Sequence, residues 1–333
     1  MIITQRFSLA ERVAGCQKAA YIKVTLIMHS SDTGIDDIVS VFQLDGKPLR
    51  GRTVRLGSDS LGSILARHNY PTELARILAE AATLATLVGT SLKFDGRLLV
   101  QAEGDGPVSM LVAEYATNGN LRAYARFDRE RWENLQRINK GDRPHMPQLF
   151  GGGALALIMV SNDNNMTPYQ GVVPLTKATL AECAEVYFQQ SEQVPTRVAL
   201  SAAEHSFDNG QPYWRAGGML LQQIAGDDAR GTTDDAWNEA RALFGTISDV
   251  ELVDPELSSD QLLFRLFHES GVRSDALMTV KDACTCNEDR LRGTLASMPQ
   301  AELAEMADAG MLSVDCQFCA RHYEIPFADI TSQ

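Results

Sequence analysis

Four of the six cysteines fall in the last fifth of the chain, Cys284 and Cys286 in "DACTCNED", Cys316 and Cys319 in "VDCQFCAR". They constrain that part of the protein more than any other sequence feature. Residues 276–333 hold too few large apolar side chains to build a self-sufficient core, so a segment of this size needs a staple. One Cys-x-Cys and one Cys-x-x-Cys supply four soft donors, which suits a single tetrahedral Zn2+. Structural zinc contributes roughly 10–16 kcal/mol of apparent binding energy in finger peptides, enough to order such a piece. Four thiolates also close the coordination sphere, so a structural ion is expected and a catalytic one is not. His322, three residues after Cys319, reads as an ordinary hairpin residue.

The charge around the cysteines narrows the reading further. Residues 276–333 carry four basic and nine acidic side chains, and the whole chain has a net charge of −13. That sign repels phosphate backbones and argues against a nucleic-acid zinc ribbon. No apolar run is long enough to span a membrane, and the N-terminus has no continuous apolar signal region. The expected compartment is the cytoplasm, where clustered thiols serve metal or redox chemistry more often than structural disulfides.

With 44% apolar residues over 333 positions the chain can form more than one domain. Asp45-Gly46 predicts a hairpin between two strands after residue 36, followed by a short helix ending before Pro71. A core helix over 72–90 carries Leu74, Ile77, Leu78, Ala81, Leu84 and Val88 at helical spacing. Strands are expected within 90–116, at 153–160, 169–174, 196–202 and 216–224, and an amphipathic helix places Leu180, Cys183, Ala184 and Tyr187 on one face. Gly104-x-Gly106-Pro107 and Gly151 to Gly153 read as turns, since no Gly-Lys-Ser/Thr follows. The irregular alternation predicts an α+β fold: a mixed α/β core domain over 36–226, a helical linker over 227–275 and a zinc domain over 276–333. Residues 1–35 read as a separate extension, with the start of the folded protein open between Met1 and Met28 and no role for Cys16.

Two linker stripes stand out. Trp237, Ala240, Phe244 and Ile247 share one; Leu262, Leu263, Leu266 and Phe267 share another, on a helix opened by Ser258 and Gln261 and closed by Gly271. Helices this short need a surface to pack on, which makes the linker metastable. In the tail, Asn287 caps a short helix, Pro299 opens a second, and a hairpin carries Cys316 and Cys319.

Zinc-held thiolates remain nucleophilic, and oxidants attack the thiolate form. A disulfide between cysteines one residue apart closes a strained turn and is easily reduced, as a reversible sensor requires. Oxidation would strip the ion of its ligands and unfold both the tail and any neighbour that depends on docking. The competing readings are a thiol–disulfide oxidoreductase using Cys316 and Cys319, and a purely structural zinc protein. The first wants its leading cysteine at a helix N-terminus, whereas "DCQFCARHYEIP" reads as a zinc hairpin.

The whole pattern resembles the heat shock protein 33 family of redox-regulated chaperones. The cysteine signature is met with 29 residues between Cys286 and Cys316. Stretches 90–107 ("TSLKFDGRLLVQAEGDGP"), 169–175, 183–197, 216–222 and 262–269 ("LLFRLFHE") resemble the family too. Departures are the N-terminal segment and a lengthened 127–152 region. The resemblance implies a protein without catalytic turnover whose reduced, zinc-bound form is inactive. Oxidation pairs Cys284 with Cys286 and Cys316 with Cys319, zinc leaves, and the tail and linker unfold. Apolar surface is then exposed to unfolding client proteins, with Trp237, Phe244, Leu262, Leu263, Leu266 and Phe267 as the expected contacts. The implied active form is a homodimer that holds clients without ATP and passes them to ATP-dependent chaperones; neither nucleic acid nor membrane is an expected partner.

Overall fold

Gly96–Glu103 alternates buried and less buried residues along its length, the period-two pattern of a strand with one face on a core. The computed structural model describes residues 36–331 apart from 94, 164, 208 and 225–232. The expectations for the N-terminal extension, Met28, Cys16 and the polar boundary near 227 lie outside the described residues.

In chain order the elements are β1 (Ile38–Leu44), β2 (Leu49–Leu56), α1 (Ser63–Ala66), α2 (Thr72–Gly89), β3 (Gly96–Glu103), β4 (Val108–Ala116) and β5 (Asn120–Phe127). Then come α3 (Arg129–Asn139), α4 (Met146–Phe150), β6 (Ala154–Ser161), β7 (Tyr169–Pro174), α5 (Leu180–Tyr187), β8 (Thr196–Ser206) and β9 (Pro212–Gln223). The linker region holds α6 (Thr233–Phe244), α7 (Asp249–Val253) and α8 (Ser259–Phe267), followed by β10 (Val272–Thr279) and β11 (Lys281–Asp282). The tail adds α9 (Glu288–Ala296), α10 (Gln300–Met306), β12 (Met311–Asp315), β13 (His322–Pro326) and α11 (Phe327–Thr331). The α+β class expected from the sequence is the class observed.

Two sheets organise the core, one ordered β10-β1-β2-β9-β8 and the other β11-β5-β4-β3-β6-β7. Helix α2 packs against strands of both, so every residue from Leu74 to Gly89 except Arg76 is buried. The expected apolar stripe on α2 is therefore only part of its buried surface. A small-residue composition, with Ala79, Ala81, Ala82 and Ala85 fully buried, lets a helix fit between two sheets. The Asp45-Gly46 hairpin is present, with Gly46 at φ +66. Gly104 and Gly106 turn between β3 and β4, where an added Cβ would meet the carbonyls of Phe150 and Leu149 at 1.9 and 2.2 Å. Cys183 is a buried core thiol.

Three features depart from the sequence reading. The lengthened 127–152 region folds as α3 and α4, burying Trp132, Met146, Leu149 and Phe150 in the main core. Strand β10 was not expected at all. It pairs antiparallel with β1 as a sheet edge, and its mostly exposed side chains give no apolar alternation to read. The 275/276 boundary falls inside it. The tail also has a small core of its own: Leu295, Leu303, Leu312, Ile325 and Ile330.

The linker helices cover the other face of the five-stranded sheet. Phe244 from α6, Leu252 from α7, and Leu262, Leu263, Leu266 and Phe267 from α8 form one buried cluster with Phe42, Leu44, Leu49, Met219 and Leu221. Phe42 and Phe267 stack with ring centres 5.9 Å apart, and Trp237 is partly buried against the same cluster. Under α7 the contact is polar. Arg55 donates to the carbonyls of Glu251, Leu252 and Asp254 at 3.1–3.3 Å, and Arg215 donates to that of Val253 at 2.8 Å while pairing with Asp36. These are the carbonyls a helix C-terminus leaves without intrahelical partners.

Candidate metal centre

The first cysteine pair is delivered by a sheet edge. Strand β11 lies parallel to β5, and Ala283 N donates to Leu121 O at 3.0 Å, which places Cys284 beside the six-stranded sheet. Asp282 fixes the approach: it accepts from Ser63 Oγ at 2.8 Å and pairs with Arg67. The second pair is delivered by the β12–β13 hairpin. Ala320 N donates to Cys316 O at 2.8 Å and Cys316 N to Arg321 O at 2.9 Å, a tight knuckle that holds Ala320 at φ +54.

Core side chains join the two deliveries. Arg67 Nη1 also donates to Phe318 O at 3.1 Å, and His68 Nε2 to Gln317 O at 2.7 Å. Arg122, forked on Glu114 at 2.8 and 2.9 Å, lies 3.7 Å from Cys284 Sγ and 4.2 Å from the centre of the Phe318 ring.

These contacts bring Cys284, Cys286, Cys316 and Cys319 together, with all four Sγ atoms within 4.8 Å of one another. Cys284 and Cys316 sulfurs are 3.7 Å apart, Cys286 and Cys319 sulfurs 3.3 Å. A tetrahedral site with Zn–S near 2.3 Å requires sulfurs about 3.8 Å apart, whereas a disulfide requires about 2.05 Å. The four sulfurs are unpaired, and their clustering is compatible with one bound Zn2+. His322 stands outside it, exposed, with Nδ1 2.7 Å from Asp315.

The electrostatics favour a cation. Burial pushes the Cys284 thiol up, outweighing the help of Arg122. Cys319 is pushed up to about 12 by burial first and by its sulfur neighbours. Burial also opposes ionisation of Cys286, but the hydroxyl of Tyr323, 3.1 Å away, and the neighbouring thiols bring it down to about 7. Four thiolates at this spacing repel one another, and a thiophilic dication between them would offset that repulsion. Zinc uptake at pH 7 is therefore expected to release roughly three to four protons per chain, with affinity falling as pH is lowered because protons compete for the same sulfurs. Calorimetry in two buffers of different ionisation enthalpy reads this directly; release of one proton or none would mean that the sulfurs are not the ligands.

Sequence reasoning found the four cysteines but not Arg67, Asp282, Arg122 or Tyr323. Arg67 and Arg122 come from distant parts of the chain, and no spacing rule links them to the motif.

Residues 37–326 match the family described as Hsp33 protein. The chain belongs to the Hsp33 family. A 33 kDa chaperonin of Caulobacter vibrioides is 48% identical over 297 residues, covering 88% of this chain and 96% of that relative. One from Shewanella loihica is 35% identical over 295 residues, 88% of this chain and 94% of the other. The crystal structure of the 33 kDa chaperonin (heat shock protein 33 homolog) of Thermotoga maritima has the same fold. Its TM-score is 0.70 at 21% identity, covering 89% of this chain and 97% of that one. Membership in the Hsp33 family and the names of these relatives support a chaperone function. Among the described residues no helix is long and apolar enough to cross a membrane.

Proposed function

We propose that this chain is a redox-regulated, ATP-independent holdase of the cytoplasm, inactive while Cys284, Cys286, Cys316 and Cys319 hold one Zn2+. The observation that carries the reading is the four-sulfur cluster at the root of a tail whose own core, among the described residues, has five buried apolar side chains. Bound there, Zn2+ would neutralise four thiolates and cross-link the segment at 281–286 to the hairpin. Peroxide converts two thiols and one molecule of H2O2 into a disulfide and two molecules of water. Two such steps, giving Cys284–Cys286 and Cys316–Cys319, remove every ligand from the ion. The tail of 276–333 then loses its staple and the linker of 227–275 its anchorage. The linker's packed face, with Trp237, Phe244, Leu262, Leu263, Leu266 and Phe267, becomes available to unfolding clients. Reduction restores the thiols and the cover, and clients pass to ATP-dependent chaperones. A dimer of the opened form doubles the holding surface.

The oxidoreductase reading loses support from the local backbone. Cys316 leads into a turn between β12 and β13, and no helix starts at it to activate the thiol. Zinc release and suppression of citrate synthase aggregation, followed together through a peroxide titration, test the proposal. Both are expected to rise in parallel, with peptide mapping finding the two local disulfides. Steady turnover in an insulin-reduction assay, without aggregation suppression, would replace the holdase by an enzyme.

A further inference from the structure

The side of the five-stranded sheet that faces α2 carries a basic concavity that α2 does not fill. A cavity of about 330 Å3 is lined by Arg50 and Arg52 of β2, Gln43 of β1, and Arg273 and Asp275 of β10, with no residue from α2. Strand register sets the array. Arg50 pairs with Gln43 and Gln43 with Arg273 in one row; Arg52 pairs with Val41 and Val41 with Asp275 in the next. The two β2 arginines are thus about 7 Å apart along the strand, and Arg273 stands about 10 Å across the sheet.

In a chain of net charge −13 such a cluster ought to be neutralised by carboxylates, yet among the described residues neither Arg50 nor Arg52 makes an ion pair, the carboxylate of Asp275 in the same cavity included. The Nε of each is buried without a hydrogen-bond partner. Among the described residues Arg273 pairs with Asp45, 2.6 Å away in a largely exposed pair. Burial, and then the charge of Arg50, pushes Arg52 down to about 10. Half-buried guanidinium groups lacking a counter-charge and an acceptor are costly, and in folded proteins such orphans mark a missing ion or ligand. Guanidinium forks match phosphate oxygens bidentately, and several forks at fixed spacing select an anion with several charged groups over a single one. The concavity is too small for a folded partner and too charged for an apolar segment.

We propose that Arg50, Arg52 and Arg273 form a binding site for a small oligophosphate anion, a diphosphate or longer. A bound anion ties β10, which leads from the linker to the metal centre, to β2. The site is independent of the redox reading, because none of its residues touches the cysteines.

Calorimetric titration of the reduced, zinc-loaded full chain with inorganic diphosphate tests it, at constant ionic strength and with zinc content checked before and after. One site per chain is expected, with slower hydrogen exchange at 272–279 on binding. Arg50→Met and Arg52→Met should each weaken binding at least tenfold, whereas Arg137→Met on exposed α3 should leave it unchanged. Both test variants keep side-chain length and remove an uncompensated cation, so their melting temperatures without ligand should equal or exceed that of the parent. Diphosphate should raise the melting temperature of the parent only. Equal affinity in all variants, an equal response to orthophosphate or chloride at matched ionic strength, or binding of hexaglutamate but not diphosphate would each overturn the assignment.

Discussion

Cys319→Ser is expected to abolish stoichiometric zinc binding and to unfold the tail while the two core sheets stay folded. Zinc per chain should fall from one to under a tenth, and amides of 288–331 should lose most of their exchange protection. The size of the effect follows from how little else holds the tail. Its cluster of Leu295, Leu303, Leu312, Ile325 and Ile330 shares no residue with the other two cores. Its ties to the core around Arg67, His68 and Arg122 act through the cysteine-bearing turns themselves. A structural zinc supplying roughly 10–16 kcal/mol of apparent binding energy matches or exceeds the 5–15 kcal/mol that stabilises a typical domain. A serine oxygen is a poor substitute for a thiolate toward a borderline-soft ion, so little of this is recovered. Mass spectrometry under native conditions gives the stoichiometry and hydrogen exchange the extent. Full tail protection in a zinc-free variant would show that the apolar cluster suffices alone.

Releasing α7 should have the second-largest effect, through two variants that act by unrelated means. Arg55→Met removes three hydrogen bonds to the carbonyls of Glu251, Leu252 and Asp254, leaving acceptors over a buried surface. Each bond from a charged donor is worth about 1.5–3 kcal/mol, so the three together predict a loss of about 5–9 kcal/mol in docking. Gly217→Val works by volume: a Cβ at Gly217 would meet the Leu252 carbonyl oxygen at 1.8 Å, and that oxygen is backbone and cannot swing aside. Both should raise exchange at 249–267 at least a hundredfold and give measurable aggregation suppression in the reduced, zinc-loaded protein, where the parent is expected to give none. Burial first, and then Arg215, pushes Arg55 down to about 10, still well above neutral pH, so the guanidinium stays charged and keeps its three carbonyls. Two variants that loosen α7 yet leave the reduced protein silent would separate linker docking from inactivation.

The legible parts of the sequence were those whose signal is local. Cysteine spacing pointed to the metal centre, Asp45-Gly46 to the first hairpin, and the stripes through Phe244 and Leu262 to faces that do pack. What escaped depends on distant partners. Strand β10 is built from "VRSDALMT", whose polar residues fit an edge strand but carry no alternation. Helix α7 is five residues long and is held by Arg55 and Arg215 from strands far earlier in the chain. Arg67 and Arg122 look like any surface arginine until the fold sets them against Asp282 and Cys284. Hydrophobic period reports burial, not which polar group will meet which.

Hydrogen exchange on the zinc-loaded chain before and after stoichiometric peroxide, read by segment, tests the coupling between metal, tail and linker most directly. The account predicts that protection collapses together at 288–331 and 233–267 as two disulfides form, while 72–89 and 96–116 stay slow, and that reductant with zinc restores the original pattern. Protection that survives oxidation at 233–267 while the tail opens would contradict it, because the apolar face would remain covered.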